Sequence, residues 1–172
     1  MAIDKITTAS ITDANITTAK IASGVLPANT PYFNVYRSSN QTGISDDTNT
    51  VAALDQEYYD SAGAYNTSTY RFTPQTAGKY LIEVSLQFAA GGSQLLYCYA
   101  YIYKNGSSTK ISQNDFQNNP ANTHNATASY IIDMNGSSDY VEAYGHIYNA
   151  GTVGASDGGA KQSVFKGYKI IE

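Results

Sequence analysis

Little in this chain could crosslink, ligate a metal or carry catalytic charge. A single cysteine, Cys98, excludes an internal disulfide. The two histidines, His124 and His146, have no zinc-type spacing to each other or to that cysteine. Only 14% of residues are charged, with 10 Lys and Arg against 14 Asp and Glu. The net charge of −4 and the lack of a Lys/Arg cluster weigh against nucleic-acid binding. No apolar run is long enough for a membrane-spanning helix. The opening MAIDKITTAS has neither a basic nor an apolar leader segment, so synthesis and folding in a cytoplasm are expected. No phosphate loop or nucleophile triad is legible, and the expectation is a protein without enzymatic activity, resident metal or cofactor.

What the chain does have is tyrosine, 16 of its 172 residues, with abundant Gly, Ser, Thr and Asn. Amphipathic helical periodicity is absent, and the composition predicts an all-β domain rich in turns. The clearest strand follows Thr76-Ala77-Gly78, where Tyr80, Ile82, Val84, Leu86 and Phe88 alternate with Lys79, Glu83, Ser85 and Gln87. That period of two sets one apolar row on one face, to be covered by a second sheet. Leu81 is the one apolar residue on the other face. Further strand-like runs occupy residues 32–36, 50–59, 95–104, 110–116, 126–134, 140–148 and 163–171. Asn105-Gly106 and Asn135-Gly136 supply turn signals between them. Eight to ten short strands predict a β-sandwich or jelly roll over residues 32–172.

Residues 1–31 follow another rule. Ile6, Ile11, Ile16, Ile21 and Leu26 recur every fifth residue, with Ala9, Ala14 and Ala19 in step. Five matches neither the helical period of 3.6 nor the strand period of 2. The pattern resembles pentapeptide repeats and the I-T-T-A-K-I repeats of bacteriophage fibre proteins. It predicts an irregular or coiled arm that winds with its copies or lies on a partner, those five residues making the contact. A disordered, threonine-rich tail is the plainer alternative.

The order of motifs in the larger part resembles the complement and tumour-necrosis-factor superfamily. Tyr70-Arg71-Phe72-Thr73 with Ala77-Gly78-Lys79-Tyr80 looks like its "F-T-x-P-x-x-G-x-Y" region. Tyr103-Lys104-Asn105-Gly106 resembles its strand-ending K-N-G, Asp139-Tyr140-Val141-Glu142 its G-D-x-V segment, and Ser163-Val164-Phe165-Lys166-Gly167-Tyr168 its closing strand. The resemblance implies a ten-stranded jelly roll forming a homotrimer, with aromatic side chains meeting on the three-fold axis. With the fibre-type arm, it implies a phage virion structural protein. The favoured form is a capsid decoration or head-fibre protein, anchored by the arm to the major capsid protein or another virion protein. A tail-fibre tip recognising host surface glycan, and a bacterial ligand-binding module of the same fold, are the alternatives.

Within the head, Tyr97, Tyr99, Tyr101 and Tyr103 share one strand face, opposite Leu96, Cys98, Ala100 and Ile102. If the smaller residues point inward, the tyrosines form an outer ladder for a ligand or subunit, or simply pack against Tyr144 and Tyr148. Cys98 in that setting reads as a small buried hydrophobe. Asp46, Asp47 and Asp139 are the only candidates for a calcium site, and paired acids in a turn are more often solvated.

Overall fold

A computed structural model describes residues 28–42, 44–90, 94–149, 156–157 and 162–171. The five-residue repeat bearing Ile6, Ile11, Ile16, Ile21 and Leu26 lies outside them. The described elements are strands, arranged in two antiparallel sheets.

Sheet A holds β1 (Tyr32–Tyr36), β3 (Gln56–Asp60), β6 (Gly78–Ala89), β9 (Thr123–Met134), β11 (Ser156–Asp157) and β12 (Val164–Lys169). Across it the order is β9-β6-β12-β1-β3, with β11 continuing along β6. Sheet B holds β2 (Thr50–Val51), β4 (Tyr65–Asn66), β5 (Arg71–Phe72), β7 (Leu95–Lys104), β8 (Ser107–Asp115) and β10 (Val141–Asn149). Its order is β4-β5-β10-β7-β8, with β2 also on β10.

The alternation seen in the sequence of β6 is the organising fact of the core. Tyr80, Ile82, Val84, Leu86 and Phe88 are all buried between the sheets. They meet Cys98, Ala100 and Ile102 from β7 and Val141, Ala143 and Ile147 from β10. Aromatic contacts tie the layers: Phe33 of β1 stacks on Phe72 of β5 at 4.0 Å and meets Phe165 edge-on at 5.0 Å. Each fully buried ring contributes about 1.5–3 kcal/mol by leaving water. The small partners are required. A Cβ on Gly145 of β10 would lie 2.7 Å from the Phe88 ring. One on Gly167 of β12 would lie 2.7 Å from both Ile82 Cδ1 and the Leu81 carbonyl oxygen.

The run at residues 50–59, expected as one strand, is two. Thr50–Val51 pairs with β10 in sheet B, and Gln56–Asp60 pairs with β1 in sheet A. Between them the chain crosses the sandwich, burying Ala52 and Leu54 as it goes. Side-chain alternation continues through such a crossing while the ladder partner changes, so periodicity alone does not show it. Likewise the residues before β6 separate as β5 in the opposite sheet.

Candidate functional site

β7 and β10 lie side by side at the centre of sheet B, with Tyr97 opposite Tyr148, Tyr99 opposite His146 and Tyr101 opposite Tyr144. Because Cys98, Ala100 and Ile102 face the core, Tyr97, Tyr99, Tyr101 and Tyr103 form the outward ladder. β10 adds Glu142, Tyr144, His146 and Tyr148 to the same face, since Ala143, Gly145 and Ile147 point inward. The rings pack against one another. Tyr97 stacks on Tyr148 at 4.7 Å, Tyr103 on Tyr144 at 4.1 Å, and Tyr99 meets the His146 ring edge-on at 4.9 Å. Faces engaged this way are withdrawn from stacking on a sugar, and Tyr101, between Tyr99 and Tyr103, is itself buried.

Hydrogen bonds fix one flank of the ladder. Asn49 Nδ2 donates to the Tyr103 hydroxyl at 2.9 Å, and Asn49 Oδ1 lies 2.9 Å from His146 Nδ1. Asp47 Oδ1 lies 3.3 Å from His146 Nε2. Asp46 Oδ1 accepts from the Asn149 amide at 2.9 Å, and the Asp47 amide donates to the Ile147 carbonyl. The loop before β2 is thereby pinned along the far end of β10. The hydroxyls of Tyr97, Tyr99, Tyr101 and Tyr148 make no hydrogen bond to a described residue. Partial burial, then the carboxylates of Asp115 and Asp47, raises the Tyr99 pKa. Burial also leads for Tyr97, followed by Tyr148, Tyr99, Asp47 and Asp46.

At the near end, Glu142 is 3% exposed and pairs through Oε1 with Arg71 Nε at 2.9 Å. The Arg71 guanidinium lies 4.1 Å over the Tyr140 ring. Glu142 Oε2 is buried without a hydrogen-bond partner among the described residues. The pair is not legible in the sequence, because Arg71 and Glu142 are distant in the chain and meet only through the β5–β10 register.

Sheet A presents a different outer face. Tyr32, Tyr168, Leu81 and Ile131 stand in one cross-strand row over β1, β12, β6 and β9. Tyr32 is 41% exposed, Tyr168 38% and Ile131 52%. Tyr59 joins Tyr32 edge-on at 5.5 Å. Asn29, Tyr32, Tyr59, Glu83, Lys166 and Tyr168 border a shallow hollow of about 400 Å³. The lone apolar residue on the second face of β6, Leu81, was the signal in the sequence for this row.

Cys98 is fully buried, and burial pushes its thiol up to about 12. The acids considered for calcium lie at opposite ends of β10. Asp139 precedes the strand and is engaged by Lys104 Nζ at 2.8 Å, Asn105 Nδ2 at 2.8 Å and the Asn135 amide at 3.0 Å. Asp46 and Asp47 adjoin the strand's other end. His124 meets Phe116 edge-on, away from His146.

No family profile and no curated protein matches the sequence. Solved structures do match the fold. The globular domain of zebrafish complement 1qA is similar at a TM-score of 0.58 and 14% identity, covering 83% of this chain and 99% of that one. Murine APRIL is similar at a TM-score of 0.61 and 7% identity, over 81% and 98% of the two chains. The Eiger TNF of S. frugiperda is similar at 0.56 and 10%, over 83% and 94%. None of the three is described as an enzyme. Identities this low carry the fold alone, and that fold is the jelly roll of complement 1q and tumour-necrosis-factor domains.

Proposed function

We propose that this chain is a non-enzymatic virion structural protein, a homotrimeric head held to the capsid surface by residues 1–31. The observation that carries the trimer is the in-register row of Tyr32, Tyr168, Leu81 and Ile131 on the outer face of sheet A. A row of exposed aromatic and aliphatic side chains on a monomer is better buried against copies of itself. Glu83 and Lys166, 3.5 Å apart beside the row, supply a polar margin. Asn29 borders the same hollow, so the described start of the chain lies beside that face. Three arms leaving together would engage a symmetric shell at high effective concentration, and weak single contacts would add into firm attachment. Burying each arm isoleucine contributes about 1.5–3 kcal/mol before ordering costs.

Sedimentation of the full chain tests the assembly. The proposal expects a trimer at micromolar concentration, dissociated by Ile131→Asp but not by Ile111→Asp on the opposite sheet. A folded monomer in the unsubstituted protein would refute it. Virion occupancy tests the anchor separately: Ile6→Asp, Ile11→Asp, Ile16→Asp and Ile21→Asp together should release a folded trimer from the particle. Unchanged occupancy would overturn the anchoring role.

A further inference from the structure

We propose that the outer face of sheet B, opposite the trimerising face, receives a basic segment of a partner protein through lysine and arginine side chains. Asp47 and Asp115 flank the Tyr97–Tyr99 end of the ladder, Asp115 directly opposite Tyr97 in the β7–β8 register. Asp46 adds a third carboxylate beside it, and the other end carries Glu142. Arg71 is the guanidinium on this face, and it is already committed to Glu142 and to the Tyr140 ring. The surface is therefore acidic where it is aromatic.

Its unpaired hydroxyls can each accept a hydrogen bond as well as donate one. Glu142 Oε2 is buried with no donor among the described residues. The phenolic oxygens of Tyr97, Tyr99, Tyr101 and Tyr148 likewise have no donor there. An ammonium or guanidinium brings several donors, so it can bond the phenolic oxygens and the nearby carboxylates together while each phenol's own proton stays with water. Tyrosine faced by arginine is also the pairing enriched where protein interfaces concentrate their affinity. A neutral glycan would need ring faces, and Tyr97–Tyr148 and Tyr103–Tyr144 use theirs on each other. An acidic ligand would be repelled. The inference is independent of the virion reading, since it concerns only the head.

The test uses the full chain and fluorescein-labelled dodecalysine, read by anisotropy at low ionic strength. Joint replacement Asp47→Asn and Asp115→Asn should weaken binding about tenfold, because close charge pairs carry that much affinity. Asn tolerates the positive φ of 52° at residue 47, so the loop keeps its path. Tyr97→Phe with Tyr99→Phe, which removes only two hydroxyls, should weaken it about threefold. Glu57→Gln with Asp133→Asn, an equal loss of charge on β3 and β9 of sheet A, should leave binding within about twofold. Equal weakening by both acidic pairs would overturn the proposal, showing only diffuse attraction. Absence of dodecalysine binding would also overturn it, as would displacement of the probe by maltoheptaose.

Discussion

Arg71 and Glu142 meet across β5 and β10 at 2.9 Å, the arginine side chain 42% exposed and the carboxylate 4%. The asymmetry means that the arginine can re-solvate when its partner is lost, whereas the glutamate cannot. Arg71→Met should therefore destabilise the head by about 2 kcal/mol, the cost of a buried charged group left unsatisfied. Adding Glu142→Leu should restore most of that, because two apolar groups of similar shape leave no charge stranded. Urea unfolding of the two variants decides it. A double variant as unstable as the single would rule out this account.

Asp139 gives the head an acid-sensitive joint. Hydrogen bonds from Lys104 and Asn105 hold its pKa below the ordinary aspartate value of 3.8. A carboxylate with a depressed folded pKa stabilises fully above its unfolded value, and that contribution fades as pH falls through the folded one. The stability gap between the natural chain and Asp139→Asn should thus be largest near neutrality and close on acidification below about pH 4. Denaturation midpoints measured across pH would show the convergence. A gap that widened in acid would contradict the sign.

Gly145 should resist even a methyl group. The new Cβ would meet Phe88 at 2.7 Å and Leu86 Cδ1 at 3.3 Å, with the two sheets pressed together at that point. Gly145→Ala should cost about 1–3 kcal/mol from overpacking. Phe88→Leu, destabilising alone, should recover part of the loss in the Gly145→Ala background. Additive losses in the double variant would show that the clash is relieved elsewhere.

Cys98 should be inert while the fold holds. Its thiol is buried on the inner face of β7 and pushed up to about 12, so little thiolate forms at neutral pH. A disulfide reagent should label it only at the rate of unfolding, then rapidly in denaturant. Fast labelling of the native protein would contradict the packing.

Much of the sandwich could be read from the chain because its strands keep period two where one face is buried. The apolar row of β6 followed from alternation, whereas on β7 alternation separated the two faces and only the burial of Cys98, Ala100 and Ile102 shows that the tyrosines face outward. Sheet membership did not, because residues 50–59 keep an apolar pattern while passing from β10 to β1. Long-range register was equally hidden. Nothing local brings Arg71 to Glu142, Asn49 to Tyr103 or Tyr32 to Tyr168, and those pairings define both outer faces. The sequence shows Leu81 alone on the second face of β6, and only the ladder joining it to Ile131 and Tyr168 shows the row it belongs to.

The place of β12 bears on when the head can form. It is the last described strand in chain order, yet it lies between β6 and β1 and closes sheet A from its middle. While a ribosome still holds residues 164–169, β1 has no neighbour on that side and the rings of Phe33 and Tyr65 lack Phe165 against them. Closure of sheet A accordingly waits on β12 and is gated by long-range loop closure. Until that strand is seated, the outer face of sheet A has neither its middle nor Tyr168.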